Sequence, residues 1–270
     1  MPSTSALYCI GANMMGAFVS SVTNAATGFP KEHLLDLNPD TYWKATGVGT
    51  VSIVTDLGSA KTIQGWALWL HNAHVDLNPG PGTQQVKVYH SPDNSAWTLW
   101  DTVTLDNVIN QPIFFGGSLT EQSKRYWKVE ILAPDLIVEV SMIFLYTKHT
   151  ISQANQRPDV SSRVFVTRKM ESSSGRVFVA IERKTPREMF SRQYTFATGG
   201  DQTTLPLVKA FNDSSGDAFP LILVDDSAVS SARLVRFARP ELQIRETHYQ
   251  VYDISVDLHT ESFVSLGSTT

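Results

Sequence analysis

The chain has 270 residues, 42% of them hydrophobic and 18% charged, with a formal net charge of −4. That balance is too apolar for a disordered chain and too evenly mixed in charge for a nucleic-acid or anionic-membrane surface, and the length accommodates two β domains of ordinary size. Cys9 is the only cysteine, which rules out an intramolecular disulfide and leaves burial as the source of stability.

Along the chain, residues 7–19 are apolar but lack a basic lead-in, and Gly11, Asn13 and Gly16 interrupt them, so neither a signal peptide nor a membrane span is expected. From residue 50 onward the pattern is that of strands. Runs at 51–56, 65–70, 86–90, 126–131 and 138–145 are rich in β-branched and aromatic residues and are separated by Gly, Pro, Asn, Asp and Ser. Residues 149–162 are polar, include the Arg157-Pro158-Asp159 turn and have no apolar face; they read as a linker. Runs 163–168 and 176–183 flank Ser172-Ser173-Ser174-Gly175 as a hairpin would. Leu205, Val208 and Phe211 recur at helical spacing and predict one short helix over 204–212. Strands are expected at 219–224 and 232–238. The stretch 249–258 alternates Tyr252, Ile254, Val256 and Leu258 against Val251, Asp253, Ser255 and Asp257, as a half-buried strand does. The fold class is therefore all-β, with a first domain over 1–148, a linker over 149–162 and a second β-rich domain over 163–270.

Catalytic constellations are absent from this pattern. The sequence has no Gly-x-Ser-x-Gly elbow, no phosphate loop and no cysteine–histidine pair; Cys9 sits in an apolar stretch suited to a buried thiol. His71 and His74 would face opposite sides of a strand and lack the glutamate of a helical zinc motif. Asp225 and Asp226 end a predicted strand and read as a solvated turn. Arg157, Arg163, Arg168, Arg176, Arg183, Arg187 and Arg192 cluster in sequence, on strands where such residues lie on solvated or subunit-facing surfaces. The chain is not expected to be an enzyme.

Four segments carry a family likeness: Asn38-Pro39-Asp40-Thr41-Tyr42-Trp43, Asp56-Leu57-Gly58 with Ile63, Ser91-Pro92-Asp93-Asn94 with Trp97, and Arg125-Tyr126-Trp127-Lys128-Val129. Thr41 and Trp43 are suited to anchoring an irregular loop, Leu57-Gly58 to turning the chain out of a strand, and Ser91 to Asn94 to forming a polar turn from which Trp97 re-enters the core. In order and spacing they resemble the discoidin, or coagulation-factor C-type, family. The resemblance implies a galactose-binding-like jelly-roll sandwich whose loops at one end bind sugars or lipids in many members, and which in others is purely structural. The stretch matching the ligand loop offers His71, Asn72, His74 and Asp76 as hydrogen-bonding groups for a sugar, without the arginine that sugar-binding members often carry there. Asp36, Asn38 and Asp40 place oxygen donors at alternate positions near where the family holds a structural calcium, although Thr41 stands in place of a calcium-loop glycine and no glutamate closes the site. No cofactor is required.

The C-terminal half, with 219–224, 232–238 and the closing 249–258 strand, resembles a tail-tube-type β domain, and the whole chain resembles the distal tail or baseplate proteins of long-tailed bacteriophages. That resemblance implies a structural role in a virion tail: a homo-oligomeric ring, a hexamer, made in the host cytoplasm, in contact with other tail proteins and with host-surface glycan, without nucleic-acid or membrane partners. The alternative is a stand-alone or secreted carbohydrate-binding module protein without catalytic activity.

Overall fold

A computed structural model of the chain describes residues 5–9, 17–36, 38, 41–72, 84–104, 113–115, 119–151, 160–164, 167–171, 177–181, 187–197, 205–215, 219–225 and 233–262. The protein is all-β, as expected. In its first part the strands are β1 (Ser5–Cys9), β2 (Phe18–Val22), β3 (Trp43–Val48), β4 (Val51–Ile63), β5 (Gly65–His71), β6 (Gln85–Ser91), β7 (Thr98–Thr104), β8 (Ile113–Phe115), β9 (Gln122–Leu132) and β10 (Ile137–Ile151), with a 3-10 turn at Lys31–Leu35. Strands β2-β4-β9-β6-β7 make one antiparallel sheet, and β10 joins β5 and β3 in the facing one.

The sandwich follows from side-chain period. Val86, Val88 and His90 of β6 and Trp127, Val129 and Ile131 of β9 are buried at every second position, and the residues between them are partly exposed. β10 behaves differently, because Ser141 to Tyr146 are all buried, as are Gly65 to Trp69 of β5 beside them. An unbroken apolar run of this kind marks strands covered on both faces. Trp43, Trp66, Trp69, Trp127 and Phe144 are the largest side chains of this first core.

One expected turn is instead a bulge. Leu57-Gly58 does not end the strand: β4 loses register with β9 between Asp56 and Lys61 and then pairs again to Ile63. Gly58 takes φ +75°, which a glycine adopts without a Cβ penalty, and Asp56 Oδ1 accepts the Gly58 N–H at 2.8 Å.

The second part contains β11 (Val160–Val164), β12 (Thr167–Glu171), β13 (Val177–Ile181), β14 (Arg187–Ala197), helix α1 (Pro206–Asp213), β15 (Leu221–Asp225), β16 (Arg233–Phe237), β17 (Gln243–His248) and β18 (Val251–Ser262). The expected hairpin forms between β12 and β13, while Arg163 belongs to β11, which pairs β14. α1 lies where the spacing predicts a helix; Pro206 opens it, and Leu207, Val208 and Ala210 are buried. Tyr194, Phe196, Ile254, Val256 and Leu258 form a second core with the helix.

A single sheet joins the two parts. β1 pairs β10 on one side and β15 on the other, giving the order β11-β14-β18-β16-β15-β1-β10-β5-β8. Ile222 and Leu234 pack into the first core, whereas Leu221, Leu223 and Val235 of the same two strands pack into the second. The division expected at 148/149 falls inside β10, which runs on to Ile151; of the expected linker, residues 152–159 lie outside the described residues. His149 Nε2 meets Asp213 Oδ2 at 2.7 Å, tying the end of β10 to the end of α1.

Candidate functional site

Of the expected ligand residues, His71 and Asn72 stand at the end of β5. His71 is its last residue, opposite Val140 of β10, and Asn72 follows. The Asn72 carboxamide is engaged with the sheet: Nδ2 donates to the Ile137 carbonyl at 2.9 Å, and Oδ1 accepts the Glu139 N–H at 2.7 Å. Asn72 N–H donates to the Glu139 carbonyl at 3.2 Å, so this residue fixes where the chain leaves β5. His74 and Asp76 lie outside the described residues.

A cluster that the sequence does not advertise sits beside that departure point. Lys44 of β3 stands in register with Glu139 of β10, and Nζ lies 2.6 Å from Oε1. The hydrogen bond to Glu139 is the main cause that raises the Lys44 pKa above its ordinary value. Lys44 Nζ is 5.8 Å from the centre of the Phe29 ring, and Phe29 packs on Tyr42 with ring centres 4.8 Å apart. His33 Nδ1 donates to the Tyr42 carbonyl at 2.9 Å and fixes the segment that carries this ring. All of these side chains are partly exposed. Only Tyr42 belongs to a motif recognisable in sequence; Phe29 and Glu139 arrive through tertiary pairing.

Another aromatic–cation group lies across β6 and β9. Lys128 Nζ is 4.3 Å from the Tyr89 ring centre and 5.1 Å from that of Trp97, and forms a 2.8 Å ion pair with Glu130. Trp97, expected to re-enter the core, stands partly exposed over Lys128, while Trp127 is buried and Trp100, 4.8 Å from it, packs against the core from a partly buried position. Burial and the hydrogen bond to Glu130 raise the Tyr89 pKa.

Asp36, one of the three expected cation donors, is engaged within its own turn. Asp36 Oδ1 accepts the Asn38 N–H at 2.9 Å and Oδ2 accepts the Thr41 hydroxyl at 2.7 Å, so the carboxylate closes a turn. Asp40 lies outside the described residues, and among those described no group of three His, Cys, Asp or Glu side chains could hold a metal ion.

No protein-family model and no curated protein matches the chain. Three solved structures illustrate what it is similar to. The GH29 fucosidase of Ruminococcus gnavus in complex with fucose aligns with TM-score 0.41 and 20% identity over 51% of this chain, which spans 26% of the fucosidase. The C-terminal domain of a Bacteroides fragilis chitobiase aligns with TM-score 0.40 and 17% identity over 50% of this chain and 97% of that one. CBM32-3 from a family 31 glycoside hydrolase of Clostridium perfringens aligns with TM-score 0.40 and 16% identity over 50% and 92%. None of the three is a tail protein, and the tail-assembly expectation gains no support from them.

Proposed function

We propose that this is a non-catalytic glycan-binding protein whose first sandwich takes a sugar at the loop end beside Asn72. The observation that carries the reading is the Phe29–Tyr42 ring pair flanking the Lys44–Glu139 ion pair at that end. A pyranose presents an apolar C–H face and a rim of hydroxyls that both donate and accept. An aromatic face next to a fixed ammonium and a fixed carboxylate meets both requirements in one place. Asn72, rather than contacting ligand through its carboxamide, holds the end of β5 at which His71 stands.

The test is a glycan array probed with the full chain, followed by calorimetry on any hit with Tyr42→Ala, Lys44→Ala and the double variant His71→Ala/His74→Ala. Loss of affinity of at least about tenfold in Tyr42→Ala, with an unchanged melting temperature, is expected, which corresponds to about 1.4 kcal/mol. Full affinity in all three variants would remove this end of the sandwich as the site.

A further inference from the structure

β17 is exposed at every position, so burial of its own side chains is not what accounts for it. What it builds is one wall of an open groove of about 490 Å³ across β14, β18 and β17, within the size range of small-molecule sites. The floor presents Gln193 of β14 with Asp253 and Ser255 of β18; the wall presents Glu241, Gln243 and Arg245. Strand register sets the spacing, with Gln243 opposite Ser255 and Arg245 opposite Asp253. Asp253 is held in place, since the Thr195 hydroxyl donates to Oδ1 and Gln193 Nε2 reaches Oδ2 at 3.5 Å. The side chains of Ser255, Gln243, Arg245 and Glu241 have no hydrogen-bond or ion-pair partner among the described residues.

The chemistry narrows the occupant. Two carboxylates against one guanidinium disfavour an anion, and among the described residues no trio of ligating groups would hold a metal. Leu242 and Ile244 supply too little apolar surface for a lipid or a hydrophobic peptide, and the charges of Arg245 and Glu246 along β17 discourage another strand from adding to its edge. Alternating donors and acceptors of low net charge, with a small apolar patch, suit a chain of hydroxyls. We propose that this groove binds a neutral oligosaccharide, as a second site that shares with the loop-end reading only the class of ligand.

The experiment is saturation-transfer NMR and calorimetry of the full chain with cellotetraose, maltotetraose, chitotetraose and β-1,4-galactotetraose. It compares wild type with Ser255→Trp, which fills the groove, with Gln243→Ala/Arg245→Ala, which removes two of its free donors, and with Tyr42→Ala at the loop end. Expected is binding of at least one tetrasaccharide that weakens tenfold or more in both groove variants and persists in Tyr42→Ala. If Ser255→Trp does not fold, the double alanine variant decides. Wild-type affinity in the groove variants, or no binding of any tetrasaccharide, would overturn the groove; loss in Tyr42→Ala alone would do so while leaving the loop-end site standing, and loss in the groove variants alone would support the groove against the loop end.

Discussion

Arg125 grips Asp56 from 69 residues away, with Nε 2.8 Å from Oδ1 and Nη2 2.9 Å from Oδ2, a two-point pairing that aligns guanidinium and carboxylate. The Asp56 side chain is only 5% exposed, and Arg125 itself lies over the Tyr126 ring at 4.8 Å. Two of the four family-like segments therefore meet in one contact, which explains why Asp56 and Arg125 occur together.

This contact carries a pH dependence. The hydrogen bond from Arg125 is the main cause that lowers the Asp56 pKa below its ordinary 3.8, with the Gly58 N–H assisting against burial. A depressed folded-state pKa means that the contribution is complete above the unfolded value and is lost as pH falls through the folded one. Asp56→Asn should therefore melt several degrees below wild type at pH 6, and the gap should close as the pH falls below 3.8. Thermal scans across that range check it; a gap constant with pH would show that ionisation of Asp56 is irrelevant.

The turn after β6 is set by two neighbours. Asp93 Oδ1 accepts the N–H groups of Ser95 and Ala96 at 3.0 and 3.1 Å and the Ser91 hydroxyl at 2.9 Å, holding its carboxyl far below the usual carboxylate range. Asn94 sits at φ +62°. Asn94→Gly should be neutral within experimental error, whereas Asn94→Val should cost about 1–2 kcal/mol in urea unfolding, since a branched side chain is penalised in the left-handed region.

Gly65 pairs directly with Tyr146 across β5 and β10, and the ring of Tyr146 covers it so closely that a Cβ there would collide with the ring's outer atoms. Tyr146 is 1% exposed and has little room to move. Gly65→Ala should cost about 1–3 kcal/mol from overpacking. Combining it with Tyr146→Ala should cost less than the sum of the two single changes; strict additivity in a double-mutant cycle would mean that the ring and the glycine are not coupled.

Because each Asp36 oxygen accepts a hydrogen bond that closes the local turn, from Asn38 N–H and the Thr41 hydroxyl, millimolar calcium or a chelator should leave the melting temperature unchanged. Asp36→Ala, in contrast, should lower it in calcium-free buffer. A rise on adding calcium, as a folded-state ligand produces, would reinstate a cation at this loop.

Much of this fold is legible from side-chain period. The alternation of Tyr252, Ile254, Val256 and Leu258 places β18 correctly, and the spacing of Leu205, Val208 and Phe211 finds α1. The turn propensity of Asn94 is realised as a positive φ. β17 escapes notice because Ile244 is the one apolar residue from Gln243 to His248 and no alternation distinguishes the segment from a loop; pairing with β18 makes it a strand. The polar stretch after residue 147 suggests a linker because hydropathy does not reveal that Thr147 to Ile151 still pair with β1. At the loop end, Asn72 is visible by residue type but its backbone partners are not, and the Phe29–Tyr42 and Lys44–Glu139 pairs depend on contacts between segments far apart in sequence.

β1 is flanked by Ile151 and Asp225 at Ser5, two positions that the ribosome makes long after it. A strand synthesised early thus waits for both of its neighbours, and the last, β15, closes only once the second core can form around Leu221 and Leu223. Until then its backbone groups are open to any other strand, including β15 of a second copy, so crowded synthesis favours exchange of this strand between chains, and dilution during refolding should suppress it.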